Sequence, residues 1–382
     1  MSKPQNLFPL GIATGRSHCN RDTERTVLKQ KILDGTHAWL WARRRMGKTS
    51  LIEQTLNELA KQRPPILSIV IDLNIVYDAE SLAERLRKGV SELAMSFVPK
   101  GQKTPARLLQ AFKGLDVSFS VKAGPATLAI QRPADELSGI SDLLEGLDRA
   151  ARAYKKRAVV VLDEFQQVQG LHFGKTKTTV EGAIKHAVER SKNVSYIFCG
   201  SQRHLLAQMF EQRDRSLVRH CEKIELKRIS RVDYERYIGK AARTKWKKPL
   251  DKDVIDHILD LTYRHPYYVN ALCRRLWQQS GLPSKRSAST NWRVITEEDA
   301  SIVAYIVGKL SAAQRAMLTG IATAENGVVE YPTGEEFLRR VRLSGSTGGA
   351  ARQVLEKEDL IRRTDEGWSL VDPVMGEYLK MR

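Results

Sequence analysis

The sequence predicts an α/β fold built on a parallel sheet, followed by an all-helical segment and a small mixed module. Three observations lead to that expectation. The apolar stretch His37-Ala38-Trp39-Leu40-Trp41-Ala42 runs into Arg43-Arg44-Arg45-Met46-Gly47-Lys48-Thr49-Ser50 and then into helical spacing. Further along, Ala158-Val159-Val160-Val161-Leu162 is a continuous apolar run that ends in Asp163-Glu164. From residue 230 the alternation of strand and helix patterns gives way to helical periodicity alone. Short buried strands interleaved with helices are the pattern of a parallel sheet covered on both faces.

The first motif nearly matches the P-loop pattern G-x-x-x-x-G-K-[ST]. In that pattern backbone N–H groups wrap phosphates, the lysine reaches the β and γ oxygens, and the hydroxyl binds Mg²⁺. A lone Gly-Lys-Thr is common in basic chains, so context carries the assignment. Residues 49–63 place Leu51, Ile52, Leu56 and Leu59 on one helical face, which puts the motif at a strand-to-helix turn whose free N–H groups face an anion. Ala42 stands where the pattern has its first glycine. It narrows the loop's backbone choices but leaves Gly47-Lys48-Thr49 at the positions that touch phosphate and metal. The expected nucleotide ligands are Arg44, Arg45, Met46, Gly47, Lys48, Thr49 and Ser50. Arg43 reads as solvated, whereas Arg44 and Arg45 suit either solvation or a phosphate clamp.

The second motif reads as a buried parallel strand whose tip opens on a ligand crevice. There Asp163, with Thr49, would hold Mg²⁺, and Glu164 would polarise the attacking water as general base. The alternative is that both acids cap a surface helix at residues 165–168. A third strand, Val194-Ser195-Tyr196-Ile197-Phe198-Cys199, ends at Gly200-Ser201. Ser201 would sense the γ-phosphate or orient water there, or N-cap the helix over residues 203–210. Residues 66–72 form a further strand, with Asp72 read as structural.

In this order the motifs resemble the AAA-type P-loop ATPases of the STAND-related group called archaeal ATPases, which also occur in bacteria. Cys19-Asn20-Arg21-Asp22-Thr23-Glu24 resembles that group's G-R-E-x-E box, with Asn20 replacing the glycine, and implies that Arg21 helps enclose nucleotide. Asp163-Glu164-Phe165-Gln166 and Gly200-Ser201 resemble its metal-site and sensor motifs. His265-Pro266-Tyr267-Tyr268 resembles its lid element, which implies nucleotide packing by His265 and Pro266; core packing of a lid helix is the plainer reading. Leu217-Val218-Arg219-His220 departs from the family's glycine-arginine pair, and no arginine finger is assigned.

The resemblance implies a P-loop NTPase core of AAA/ASCE type, an all-α lid and a winged helix, with ATP and Mg²⁺ as cofactors. The corresponding boundaries are residues 1–229 for the core, with residues 99–133 as an insertion, 230–304 for the lid and 305–382 for the winged helix. Residues 117–121 alternate like a half-exposed strand and residues 137–154 like a helix leading to the acidic strand. Lid helices are expected at residues 231–243, 252–263 and 267–279, then a polar mobile loop at 281–290 and a linking helix at 298–309. Winged-helix elements are expected at residues 311–323, 333–342 and 347–358, with a wing at 360–370 turning at Asp365-Glu366-Gly367.

The net charge is +19, with 63 Lys and Arg against 44 Asp and Glu among 382 residues. A surplus of that size attracts polyanions. Residues 305–382 hold 11 basic and 11 acidic residues, so the surplus lies in the core and lid. Residues 201–250 alone hold 14 basic and 6 acidic, including Lys245, Lys247 and Lys248 around Trp246. The surplus suits duplex DNA along the basic core and lid; ATP or ADP is expected from the motifs, a protein effector is the alternative to DNA as partner, and a homo-oligomer is compatible with the sequence. Four cysteines without metal or paired spacing suggest reduced thiols in a cytoplasm. No stretch approaches about 18 apolar residues, and the N-terminus lacks a signal-peptide core.

Three functions compete. The first is an ATP-hydrolysing switch whose lid and winged helix respond to nucleotide; by resemblance such switches serve bacterial or archaeal defence and stress systems. The second is a DNA-loading or transposition-regulating ATPase. The third is a non-hydrolysing nucleotide-binding scaffold, which Ala42 would favour.

Overall fold

A computed structural model describes residues 6–99, 106–115, 117–120, 127–130, 136–172, 179–211 and 221–381. The chain forms two units, one of residues 21–227 and one joining residues 1–20 to residues 228–382.

In the first unit the strands are, in chain order, β1 (His37–Trp41), β2 (Leu67–Asp72), β3 (Val117–Ser120), β4 (Thr127–Ile130), β5 (Ala158–Asp163), β6 (Val194–Gly200) and β7 (Cys221–Glu225). Strands β3 and β4 pair antiparallel with each other, Val117 opposite Ile130. The other five form one parallel sheet in the order β2-β5-β6-β1-β7. The helices are α1 (Asp22–Asp34), α2 (Lys48–Leu59), α3 (Ala79–Ser96), α4 (Ala106–Ala111), α5 (Glu136–Ala153), α6 (Val180–Arg190) and α7 (Arg203–Phe210).

Strand side chains alternate between two cores, as a period of two requires. Trp39, Trp41, Val160, Leu162, Tyr196 and Phe198 enter one core with apolar residues of α3, α5 and α6. Ala38, Leu40, Val159, Val161, Ile197 and Cys199 enter the other with Leu28 and Ile32 of α1 and Leu51, Ile52, Leu56 and Leu59 of α2. Both faces are thus covered, which is why the strands read as unbroken apolar runs. The parallel register also brings the strand ends level: Trp41 lies opposite Gly200, and Asp72 opposite Asp163. The two sequence motifs sit on β1 and β5 with β6 between them.

The second unit contains α8 (Arg231–Trp246), α9 (Lys252–Leu261), α10 (Pro266–Leu276), α11 (Lys285–Gly308), α12 (Ala312–Ala322), α13 (Glu335–Arg340), α14 (Gly345–Lys357) and α15 (Pro373–Lys380). A three-stranded sheet in the order β8-β10-β9 comprises β8 (Val328–Val329), β9 (Ile361–Thr364) and β10 (Gly367–Leu370). The turn at Asp365-Glu366-Gly367 has a structural reason for its glycine. Gly367 has φ +135°, and a Cβ there would meet the Val329 carbonyl oxygen at 2.7 Å, so only glycine lets β8 approach β10. One continuous apolar core runs from Tyr234 and Ile238 of α8 through Leu272 of α10 and Trp292 of α11 to Leu318, Leu355 and Val374.

Two expectations are corrected here. Residues 281–290 are not a polar loop throughout, because α11 begins at Lys285 and runs for 24 residues, absorbing the expected linking helix. Ser284 and Ser287 form a capping box that starts it, a signal hidden within a serine-rich stretch that otherwise looks like a linker. Residues 6–20 belong to the second unit rather than to the core: Phe8 packs edge-on to Tyr237 at 5.6 Å and Trp277 at 4.7 Å. Among the described residues no helix is long and apolar enough to cross a membrane. Leu217-Val218-Arg219-His220 and parts of the expected insertion at 99–133 lie outside the described residues.

Candidate functional site

The turn between β1 and α2 supplies the site's floor. Ala42 is buried, and its N–H donates to the Gly200 carbonyl at 3.4 Å, so it extends the pairing of β1 with β6. Its φ is not positive. A glycine is therefore not required at that position, and the left-handed backbone that the loop does need falls on Arg45 (φ +61°) and Gly47 (φ +87°). A Cβ at Gly47 would meet nothing within 4 Å, so its side of the loop is open. Helix α2 starts at Lys48 with no side-chain cap. Uncapped N–H groups and the positive end of the helix dipole favour an anion there.

Lys48 is buried and pairs with both acids of β5: Nζ donates to Asp163 Oδ1, and to Glu164 Oε1 at 2.9 Å. Burial works against the ammonium, but the Asp163 and Glu164 carboxylates outweigh it and hold the lysine above its ordinary range. Glu164 is also partly buried, which works against its charge. Lys48, Gln166 and Ser201 more than offset that and hold its carboxyl below the ordinary range. Cys199 beneath them is fully buried, and burial pushes its thiol far up, so it is an inert packing group.

The helix-cap alternative for the two acids is excluded by this geometry. Residues 165–168 form a short 3₁₀ turn, and Glu164 makes no cap to it. Its carboxylate instead accepts from Gln166 Nε2 at 2.5 Å, Ser201 Oγ at 2.8 Å and Ser201 N at 3.3 Å. Ser201 likewise is not the cap of α7, whose N-cap position is Gln202. Lys48, Asp163, Glu164 and Ser201 thus form one connected cluster at the ends of β1, β5 and β6.

The other expected ligands divide. Thr49 is half-buried beside this cluster in sequence, and Ser50 is buried in the first turn of α2. The Met46 side chain belongs to the core, which leaves only its backbone for a ligand. Arg44 and Arg45 are exposed on the loop, whereas the Arg43 guanidinium stacks 5.3 Å from the Trp41 ring centroid. Arg21 is buried, with Nη2 donating to the Met46 carbonyl at 3.2 Å and Nη1 to Glu24 at 2.8 Å. It braces the loop through its backbone. His265 and Pro266 begin α10 in the second unit, with His265 buried at the N-cap position and Pro266 at the first helical residue. Gln166 was missed by sequence reasoning as a site residue, although it lies inside the Asp163-Glu164-Phe165-Gln166 motif; its type and position there were the available signal.

As a donor set, the α2 N-terminus and Lys48 suit phosphate oxygens. The Thr49 hydroxyl and Asp163 carboxylate are the oxygen donors a Mg²⁺ ion takes when phosphates and water complete its shell. Among the described residues no group of three or more His, Cys, Asp or Glu forms a separate metal site.

Comparison with solved structures agrees with this architecture. The chain resembles a Walker-type ATPase of Pyrococcus abyssi with a TM-score of 0.66 at 15% identity, covering 98% of this chain and 99% of that one. The fold is that of a Walker-type P-loop ATPase. The ORC2 protein of Aeropyrum pernix in its ADPNP-ADP complexes has a TM-score of 0.57 at 14% identity, covering 99% and 97%. Its ADP form has a TM-score of 0.53 at 12% identity, covering 99% and 98%. A family model described as a probable winged helix domain matches residues 303–381. No curated protein matches the chain.

Proposed function

We propose that this chain is an ATP-binding and ATP-hydrolysing molecular switch whose second unit responds to the state of the nucleotide. The observation that carries the reading is the convergence of Lys48, Asp163, Glu164 and Ser201 at the open N-terminus of α2. Adenine nucleotide is the ligand named for the ORC2 structures, which share this fold. Assignment to the STAND-related group rests on the motif resemblance described above.

In this mechanism Mg·ATP supplies a transferable γ-phosphoryl group and a cation that neutralises developing charge. Lys48 exchanges its two carboxylate partners for β and γ oxygens, keeping an ion pair throughout. Thr49 and Asp163 would hold the metal. Glu164, freed of the lysine, accepts a hydrogen bond from the attacking water and takes its proton, while the loop backbone holds the phosphate end in line and Ser201 keeps the carboxylate oriented toward the water. Arg21 keeps the loop in shape. His265 and Pro266 are proposed to report nucleotide to the second unit, as the resemblance implies.

A DNA-contacting version of the switch is favoured by one observation. Between Arg236 and Lys248 there are six basic residues and no acid. Arg236, Lys240 and Arg243 are exposed at spacings of four and three along α8, which puts them on one face, and Lys247 is exposed at its C-cap. Lys245 and Trp246 are otherwise engaged: the lysine caps the Trp277 and Gln279 carbonyls, and the indole donates to the Ser280 carbonyl at 3.1 Å.

Steady-state ATP hydrolysis with and without duplex DNA, using Glu164→Gln as the control, tests both readings. Hydrolysis should fall by at least about 100-fold in Glu164→Gln with nucleotide still bound. Stimulation by DNA that disappears in an Arg236→Ala, Lys240→Ala, Arg243→Ala triple variant supports the DNA contact. Hydrolysis equal in Glu164→Gln and the parent would sink the enzymatic reading and leave a nucleotide-binding scaffold.

A further inference from the structure

We infer that Gln166 is the positioning residue for the Glu164 carboxylate, holding one of its oxygens so that the other serves the attacking water. The inference rests on the reading of Glu164 as general base, and three observations carry it.

The two carboxylate oxygens are sorted. Oε2 accepts from Gln166 Nε2 at 2.5 Å and from Ser201 Oγ at 2.8 Å, while Oε1 accepts from Lys48 Nζ at 2.9 Å. A carboxylate only accepts, so the amide nitrogen of Gln166 must be the end that faces it. When Lys48 turns to a phosphate, Oε1 loses its partner and Oε2 does not. The orientation of the carboxylate then depends on Gln166 and Ser201, and Oε1 is the oxygen left for water.

The backbone is built for this contact. Glu164 lies in the left-handed region at φ +55°, an unfavourable conformation for a residue with a side chain. Gly200 makes room on the other side, because a Cβ there would stand 2.1 Å from Gln166 Oε1.

The burial of Gln166 is not explained by packing. The residue is 4% exposed, and its Oε1 has no hydrogen-bond partner among the described residues. Burying an unpaired carbonyl is destabilising. An amide kept in such a position at the expense of stability is what a site residue would be, whereas an apolar side chain of similar size would satisfy the fold better.

The test compares Gln166→Met, which keeps the volume and removes the donor, with Gln166→Glu, which places an acceptor against the carboxylate. Both should lower kcat by roughly 10-fold to 100-fold, the loss expected when a reacting group is misplaced. KM and the dissociation constant of a fluorescent ATP analogue should stay within about twofold of the parent. In nucleotide-free protein, Gln166→Met should melt at or above the parent temperature, and its stability effect should be non-additive with that of Glu164→Gln. Gln166→Met with parental kcat overturns the inference. So does a loss of kcat matched by losses of nucleotide affinity and melting temperature, which marks a structural role. If Glu164→Gln itself hydrolyses ATP normally, the reading of the base fails and takes this inference with it. If Glu164→Gln is inactive while Gln166→Met turns over normally, only the role of Gln166 falls.

Discussion

Buried and half-buried polar side chains do different work in the two units of this protein. In the first they converge: Lys48, Glu164, Gln166 and Ser201 crowd the ends of three strands, and the backbone there includes the left-handed residues Arg45, Gly47 and Glu164. In the second they tie separate elements to one another. Arg228 donates to the Tyr263 carbonyl at 2.6 Å after α9 and to the Val371 carbonyl at 2.9 Å after β10. Tyr268 of α10 donates to Asp372, the N-cap of α15, at 3.1 Å. The same kinds of group thus converge on one open cluster in one place and fasten lid helices to winged-helix elements in another. The difference lies in geometry: donors that meet at an open helix end can exchange partners with a ligand, whereas donors enclosed by two packed elements cannot.

The largest test of that contrast is Lys48→Ala. Loss of a desolvated charge partner for phosphate should weaken ATP binding by ~2–5 kcal/mol, measured by titration with a fluorescent ATP analogue. Parental affinity in this variant would break the assignment of the cluster to nucleotide. Arg21→Ala comes next. It removes a charged donor from the Met46 carbonyl, worth ~1.5–3 kcal/mol, and should appear both in the unfolding free energy and as weaker nucleotide binding. Arg21→Lys should rescue it poorly, because one ammonium cannot reproduce the fork that reaches Met46 and Glu24. An Arg21→Ala protein that binds nucleotide normally would confine that arginine to stability.

In the second unit, Tyr268→Phe should cost about 1 kcal/mol of unfolding free energy and leave nucleotide affinity unchanged. An equal loss of affinity would mean that the lid tyrosine works at the nucleotide. The smallest effect concerns Asp372, whose carboxyl burial raises above the ordinary aspartate range, with hydrogen bonds from the Val374 N–H and the Tyr268 hydroxyl only partly opposing this. The folded state therefore holds the proton more tightly than the unfolded chain does. Its contribution to stability is fully present below the unfolded value of about 3.9 and is lost as pH rises through the higher folded value. Asp372→Asn should remove that component from a melting-temperature profile taken across the acid range. A profile parallel to the parent's would show that Asp372 does not titrate there.

Much of the candidate site was legible in the sequence because its residues lie at or soon after strand ends. A parallel strand buried on both faces reads as an unbroken apolar run, and the residues after it emerge at the strand's C-terminal end, so Asp163, Glu164 and Ser201 could be named from position and Lys48 from the phosphate-loop pattern that follows β1. The winged-helix expectation at residues 305–382 likewise overlaps the family match at 303–381. Less legible were features governed by a side chain's reach. The start of α11 was obscured because a Ser284–Ser287 capping box resembles linker composition.

What the sequence determined by itself was therefore the order of elements and the identity of the groups at their ends, since periodicity and end signals are local properties. The tertiary structure alone decided which of those groups meet. Parallel pairing sets β6 between β1 and β5 and brings Ser201 and Gln166 onto the same carboxylate oxygen. Folding also brings Arg21 onto the Met46 carbonyl of the loop between β1 and α2, and it gathers residues 6–20 with a unit more than two hundred residues away. Contacts between residues far apart in the chain depend on how strands pair and cores close, and no short window of sequence contains that information.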